Sequence, residues 1–235
     1  MNGYPYKYEM HLHTYPCSGG GDDVEKHIDT LMAKGFSGLV ITNHFFRGDT
    51  RIDRELPWEA FVAEYEKDFE RAKAYAKEKD FDVLFGIEEH ISGGNEVLVY
   101  GITPAFLAAH PELKTVGLRE YAELVHGAGG LVYQSHPFRE RWYIAHPLPF
   151  DDVEILDGVE GYNAANEPQQ NEQALAFASE KGLKVIAGSD AHGYTTSGRA
   201  GIRSSVRIRD NQTLVKVLCE EKYRVYKGEE DVDCM

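Results

Sequence analysis

The sequence has few cysteines and lacks a long apolar run. Only three of the 235 residues are cysteine (Cys17, Cys219 and Cys234), and no two of them form a CxxC pair. This pattern predicts neither a disulfide framework nor a Cys-type zinc module, and it is typical of a reducing compartment. The most apolar stretch, residues 97–109, is shorter than the ~20 residues that a membrane-spanning helix requires. Residues 1–7 lack the pattern of a secretory signal, so we expect a cytoplasmic protein without a membrane partner.

Negative charge dominates the chain. It contains 39 Asp and Glu residues against 25 Lys and Arg residues, which gives a formal net charge of −14. We expect this charge to repel phosphate backbones at long range, and therefore predict no duplex nucleic acid partner. The composition is otherwise that of an ordinary globular protein, with 42% hydrophobic and 27% charged residues. The length suits a single domain over residues 1–235, and the oligomeric state stays open.

Short runs rich in Val, Ile, Leu and Tyr alternate with segments of helical period. This alternation predicts βαβ units around a parallel sheet, and seven such units favour a closed or nearly closed barrel. An open dinucleotide-binding sheet is disfavoured, because no GxGxxG follows the first strand. We predict strands near residues 6–13, 38–43, 82–88, 96–101, 130–135, 158–163 and 184–189.

Ionisable side chains follow most of these strands, at the point where each strand ends. They are His11, His13, His44, Glu88, His136, Asp190 and His192. The carboxyl ends of parallel barrel strands meet at one mouth, so we expect these groups to lie close together. Two residues apart in a strand, His11 and His13 project to the same face. Hydrogen-bonded core histidines are the alternative for this pair, and an ion pair with an arginine is the alternative for Glu88.

Imidazole and carboxylate together are ligands that suit Zn, Mn or Fe. Bound cations would create an electropositive mouth in an acidic protein and would make a water reactive near neutral pH. Arg139 lies on the same loop as His136, and Arg199 follows His192, so both are candidates for binding a substrate phosphate. A surface position is the alternative for each arginine. Specificity is expected from the loops at residues 45–55, 91–95 and 138–152.

The ordered set of motifs resembles the PHP family, the polymerase and histidinol phosphatase domains. The resemblance covers about residues 9–193 and rests on five motifs: His11-Leu12-His13-Thr14, Thr42-Asn43-His44, Gly86-Ile87-Glu88, Ser135-His136-Pro137 and Gly188-Ser189-Asp190-Ala191-His192. It implies a distorted seven-stranded (β/α)7 barrel, one to three divalent metal ions (Zn, Mn or Fe) and phosphoester hydrolysis.

The resemblance also implies a role for each matching residue. It assigns His11, His13, Glu88 and Asp190 to a first metal, Glu88 and His136 to a second, and His44 with His192 to a third. We expect Glu88, Asp190 and His192 to act in catalysis, together with Arg139, which is nominated for its place on the loop of His136. Two positions depart from the family pattern, because Leu98 and Ser18 stand where further ligands are usual. Cys17, Asp22, His90 or Asn95 are the candidates to replace them.

Three functions are consistent with these residues. The leading hypothesis is a metal-dependent phosphoesterase that acts on a small phosphorylated metabolite or a nucleotide. The second is a metal hydrolase of the amidohydrolase kind, which also begins with an HxH pair on a first barrel strand. The third is a degenerate barrel that binds metal or a phosphorylated ligand without turnover, as the departures at Leu98 and Ser18 suggest.

Overall fold

A mixed sheet of nine strands forms the centre of the computed structural model, which describes residues 3–228. The strands in chain order are β1 (Tyr6–Glu9), β2 (Thr14–Tyr15), β3 (Asp22–Asp23), β4 (Gly38–Ile41), β5 (Asp82–Ser92), β6 (Asn95–Tyr100), β7 (Leu131–Gln134), β8 (Gly158–Asn163), β9 (Lys184–Gly188), β10 (Gly201–Ser204) and β11 (Tyr223–Tyr226). The α-helices are α1 (Val24–Ala33), α2 (Trp58–Ala76), α3 (Pro104–Ala109), α4 (Leu118–Gly127), α5 (Pro168–Lys181) and α6 (Asn211–Cys219).

Seven of the strands curve into a nearly closed barrel. Their order is β1-β4-β5-β6-β7-β8-β9, while β10 and β11 extend the sheet beyond β1, and β2 and β3 pair separately. Where β9 returns to β1, Leu12 and Ala191 form a parallel bridge. The N–H groups of His13 and Asp190 donate hydrogen bonds of 2.9 Å to the carbonyls of Ala191 and His11. The predicted distorted (β/α)7 barrel is therefore confirmed.

One barrel strand departs from the predicted parallel arrangement. β6 runs antiparallel to both β5 and β7. Gly93 and Gly94 connect β5 to β6 with φ angles of 61° and 90°, and two positive angles in succession are typical of a tight hairpin turn. As a result, β6 begins at the end of the barrel where the parallel strands finish, and Glu96 lies opposite His90.

Side chains alternate between the barrel interior and the surrounding helices. In β6, Leu98 and Tyr100 pack in one cluster with Leu84 of β5, whereas Val97 and Val99 pack in another with side chains of α2 and α4. This is the period of two that a strand with both faces covered requires. The interior cluster also receives side chains of α6, namely Leu214, Val217 and Leu218.

The chain changes this alternation just after β1. Tyr8 and Met10 pack in the interior cluster, but Leu12 packs on the outside with residues of α1. The Glu9 carboxylate accepts hydrogen bonds from the N–H groups of Met10 and His11 at 3.1 and 3.2 Å. The alternation shifts by one residue there, and both histidines of the HxH pair consequently face the barrel mouth.

Three elements, β10, β11 and the short α3, were not predicted from the sequence. None of the helices within residues 3–228 combines the length and the apolar character needed to cross a membrane. Cys17 is buried, Cys219 is exposed and both are free thiols, while Cys234 lies outside the described residues.

Candidate metal centre

The seven side chains predicted at the barrel mouth converge around Glu88. Its Oε1 lies 3.1 Å from His11 Nε2 and 3.2 Å from His136 Nε2. Its Oε2 lies 3.0 Å from His44 Nδ1 and 3.4 Å from His13 Nε2. The remaining two are adjacent, because Asp190 Oδ1 is 3.2 Å from His13 Nε2 and the His192 ring stacks on that of His13 at 4.2 Å. The structure thus brings together residues that are up to 181 positions apart in the sequence.

Two atoms of this cluster are buried without a hydrogen bond. His44 Nδ1 and Glu88 Oε2 are 3.0 Å apart and form an ion pair when His44 is protonated, but neither atom makes a hydrogen bond of good geometry. Buried polar atoms without a well-formed hydrogen bond call for an explanation such as an ion. Imidazole nitrogens and carboxylate oxygens are ligands of transition metals, so the residues present fit a divalent cation.

Opposite charges in this buried centre shift the pKa values of its members. Burial opposes the charge on His11, but the carboxylates of Glu160 and Glu88 outweigh it and raise the pKa of His11 well above its ordinary value. Against the same effect of burial, Glu88 raises the pKa of His44 to about 9. In return, His11 holds the pKa of Glu88 well below its usual range although burial acts in the other direction. A metal-free centre therefore carries protons that a cation would displace.

The outer histidines behave differently. Burial and the adjacent His192 and His44 lower the pKa of His13 well below its ordinary value. Burial likewise lowers the pKa of His192, in spite of the neighbouring Asp190 carboxylate. Both rings are thus neutral near pH 7, which is the form in which imidazole ligates a metal.

Glu96 belongs to this cluster, although the sequence analysis did not include it. Its carboxylate lies 3.6 Å from His44 Nδ1 and 3.4 Å from His136 Nε2. It occupies the interior face of β6 two residues before Leu98, which is itself fully buried in the core. Among the described residues, three groups have ligand atoms within 4.8 Å of one another: His11–His13–Glu88, His44–Glu88–Glu96 and His13–His44–His192.

The side chains predicted to replace the missing ligands lie outside the three groups. Cys17, Asp22 and His90 belong to none of those formed by the described residues. The Cys17 thiol faces the carbonyl of Tyr65, and Asn95 donates its side-chain N–H to the carbonyl of His146. Glu96 takes the position that the sequence analysis sought near Leu98.

Ser18 and Glu160 contact the outward-facing nitrogens of the HxH pair. Ser18 Oγ lies 3.3 Å from His13 Nδ1, and Glu160 Oε1 lies 2.9 Å from His11 Nδ1. Such contacts fix the tautomer and ring orientation of a ligand histidine, here with Nε2 toward the centre. Glu160 is fully buried and is also bound by the side-chain N–H of Asn163 at 2.8 Å. It was not predicted, because it lies in the middle of β8 rather than at its end.

Arg139 joins the centre through Asp190. Its Nη1 lies 2.6 Å from Asp190 Oδ2, and its Nε donates to Asn166 at 2.7 Å. The guanidinium is nearly buried, with 6% of the residue exposed, and its Nη2 has no hydrogen-bond partner. Asp190 has a φ of 50°, a strained value for a residue other than glycine. Arg199, in contrast, is exposed and close to Lys34, so the structure does not support its predicted role in substrate binding.

A cavity of about 550 Å³ opens beside the cluster. This volume lies within the range of ordinary small-molecule sites, about 300–1,000 Å³. Besides members of the cluster, its lining includes Arg139 and further polar and aromatic side chains: Arg47, Asp49, His90, Trp142 and Tyr143. Arg199 is not among the lining residues.

A barrel whose mouth gathers histidines and carboxylates is typical of metal-dependent hydrolases. Comparisons with known proteins narrow this class. A family model described as PHP-associated matches residues 168–223. A two-domain protein from Bacteroides vulgatus that contains a predicted PHP-like metal-dependent phosphoesterase aligns over 97% of this chain and 67% of its own, with 15% identity and a TM-score of 0.70. The resemblance to the PHP family is therefore confirmed, and the fold is that of PHP-like proteins.

Two further structures show how widely this fold is used. An amidohydrolase from Chromobacterium violaceum with bound sulfate aligns over 80% of this chain and 88% of its own, with 17% identity and a TM-score of 0.56. Endonuclease Q, in complex with a 27-mer duplex that carries an abasic lesion at its active site, aligns over 92% of this chain and 56% of its own, with 13% identity and a TM-score of 0.61. No curated protein matches the sequence.

The exclusion of duplex nucleic acid as a partner is wrong. Endonuclease Q holds a duplex substrate on this fold, so the fold itself does not prevent such binding. The exclusion was based on the net charge of the whole chain. Binding depends on the local field at the mouth, which metal ions would reverse.

Proposed function

We propose that the protein is a metal-dependent phosphoesterase that hydrolyses a small phosphorylated metabolite or a nucleotide. The observation that carries the proposal is the convergence of five histidines and three carboxylates at one mouth, where His44 Nδ1 and Glu88 Oε2 are buried without a hydrogen bond. The PHP-like fold supports the reaction class.

Each member of the cluster has a proposed role. His11, His13, Glu88 and Asp190 would hold one cation, and Glu88 would bridge to a second that His136 and Glu96 complete. A third would be held by His44 and His192. The mixed nitrogen and oxygen ligands suit Zn, Mn or Fe. When bound, such cations supply Lewis-acid polarisation of the phosphoryl group and lower the pKa of a water.

Arg139 is the proposed residue for the substrate phosphate. Its Nη2 is buried, lacks a partner and belongs to a side chain that lines the cavity. A guanidinium held in place by Asp190 and Asn166 would need only a small shift to donate to an equatorial phosphoryl oxygen, where it would stabilise the charge that develops.

Replacement of Asp190 by Asn tests the proposal. The variant keeps the shape of the side chain but removes the charge that faces His13 and Arg139. We expect metal-dependent phosphate release from a panel of phosphate esters to fall at least about 100-fold, because even partners that only orient a ligand are worth about 10–100-fold. Asp151→Asn, on the exposed loop, is the matched control and should retain activity. Unchanged phosphate release by Asp190→Asn, or by protein stripped of metal, would contradict the proposal.

An amidohydrolase-type activity is the second candidate, because one structural neighbour is described as an amidohydrolase. The same variants can be assayed for release of ammonia or an amine from amide substrates. Amine release without phosphate release would favour this activity. The hypothesis of a degenerate barrel was based on the missing ligands at Leu98 and Ser18. It is weakened because Glu96, on the same strand as Leu98, supplies a carboxylate to the cluster.

A further inference from the structure

Two aromatic side chains form one rim of the cavity beside the metal centre. Trp142 is 96% exposed, and its ring meets that of Tyr143 edge to face with the centroids 5.6 Å apart. Both side chains line the same cavity as Glu88 and Arg139. A tryptophan this exposed at the edge of a candidate active site offers a large flat apolar surface that nothing in the described chain covers.

The loop that carries these rings is held firmly to the β5–β6 hairpin. Ala145 N–H donates to the Gly93 carbonyl at 2.8 Å, and the Asn95 side chain donates to the His146 carbonyl at 3.1 Å. A Cβ at Gly94 would lie 2.6 Å from Ile144 Cα, so the hairpin and the loop are in close contact. Since the hairpin also places Glu96, the aromatic rim is fixed relative to the candidate metal centre, which lowers the entropic cost of binding.

The rim is continuous with the proposed phosphate site. Tyr143 is 48% exposed, follows Arg139 by four positions on the same loop and lines the same cavity. Arg139 in turn reaches Asp190 at 2.6 Å. A ligand can therefore extend from the metal cluster over Arg139 to the rings of Tyr143 and Trp142.

We propose that the exposed Trp142 ring, with Tyr143 set edge to face beside it, is a stacking platform for an unpaired nucleobase, and that the phosphoester is accordingly a nucleotide. This inference rests on the proposed phosphoesterase function and narrows its substrate class. A sugar phosphate or an aliphatic ester lacks the aromatic face that stacks most favourably on Trp142. Asp49 and His90 also line the cavity and are polar. Polar side chains suit the donors and acceptors on the edge of a base better than they suit a lipid chain.

Tryptophan fluorescence tests the platform independently of turnover. The chain has two tryptophans, and Trp58 is buried with its N–H bound to the Leu107 carbonyl, so Trp142 is the one that a ligand can reach. Metal-loaded protein is mixed in a stopped-flow instrument with AMP, ribose 5-phosphate or inorganic phosphate. We expect AMP alone to quench the emission, and AMP to bind about tenfold more tightly than ribose 5-phosphate, which corresponds to about 1.4 kcal/mol and lies within the range for stacking one base.

Two variants assign the effect to the ring. Trp142→Ala should abolish the quenching and should reduce the preference for AMP over ribose 5-phosphate about tenfold, as measured by calorimetry. Leu148→Ala is the matched control, because Leu148 is on the same loop and 61% exposed but does not line the cavity. It should behave like the unaltered protein.

The outcomes separate the platform from the proposed function. Equal affinities for AMP and ribose 5-phosphate in the unaltered protein, or an AMP preference that survives in Trp142→Ala, overturn the platform and leave the phosphoesterase activity standing. Quenching by AMP that depends on Trp142, without phosphate release from any ester, supports the platform and overturns the phosphoesterase activity.

Discussion

Replacing Glu96 by Gln should weaken metal binding at one site about 100-fold. Glu96 is the acidic member of the cluster that sequence motifs do not reveal, and its carboxylate faces His44 and His136. Glutamine has nearly the same shape, so the packing at the start of β6 should persist while the negative charge is lost.

The magnitude follows from the loss of a charged ligand. The Glu96 carboxylate lies 3.4 Å from His136 Nε2, so the two groups are placed to share a cation. Groups that only orient a ligand from outside the coordination sphere are worth about 10–100-fold in metal affinity, so we expect loss of the charge on a ligand to reach the upper end of that range. A 100-fold change in Kd corresponds to about 2.7 kcal/mol.

The assay is a titration of metal-free protein with Mn²⁺ or Zn²⁺ in competition with a chelator. Elemental analysis of the dialysed protein then counts the ions per chain. Glu123→Gln is the matched control, because it removes the same charge from the exposed face of α4. Thermal unfolding of the metal-free variants verifies that both are folded. If Glu96→Gln binds the same number of ions with an unchanged Kd, Glu96 is not a ligand and the revised second site is wrong.

Two further predictions concern the same centre. Glu160→Gln should weaken metal binding about 10–100-fold, because the His11 ring would lose the carboxylate that orients it. The same titration measures this Kd, and an unchanged value would show that the 2.9 Å contact does not position the ring. Metal binding should release protons at pH 7, because the pKa of His11 is raised and that of His44 is about 9 in the metal-free protein. The apparent affinity should therefore rise between pH 7 and about 9, the range in which His44 loses its proton. Calorimetry in buffers of different ionisation enthalpy counts the protons, and an affinity that is constant over this range would contradict the pKa shifts.

The barrel could be predicted from the sequence because its buried strands follow a recognisable pattern. Buried strands such as β4 and β7 are short apolar runs, and each ends in polar residues that precede a histidine. This pattern located His44 and His136 correctly at the mouth. The two strands that extend the sheet beyond β1, β10 and β11, were not predicted. They pair at the edge of the sheet, contain the charged residues Arg203 and Arg224, and lack the apolar runs of the barrel strands.

Glu96 escaped prediction because the rule that was applied holds for parallel strands only. In a parallel barrel the residues at the mouth are those at the carboxyl ends, whereas β6 enters the mouth at its amino end. The sequence does contain the signal for this reversal. Ser92-Gly93-Gly94-Asn95 stands between two runs of strand character, and a Gly-Gly pair in that position is typical of a two-residue hairpin. Glu160 leaves no comparable signal, because a carboxylate in mid-strand becomes informative only once His11 is known to face it.

The charges at the mouth explain why whole-chain acidity misled the prediction about nucleic acid. Glu88, Glu96, Asp190 and Glu160 bring four negative charges to the centre, and Arg139 offsets one of them. With the ligand histidines neutral, one divalent cation would leave this centre with a net charge of minus one, and a second would make it plus one. An anionic phosphoester is thus repelled by a singly loaded centre and attracted by a doubly loaded one, since burial strengthens both effects. Affinity for phosphate should accordingly be governed by metal occupancy, while the −14 of the whole chain is screened beyond about 8–10 Å at ordinary ionic strength.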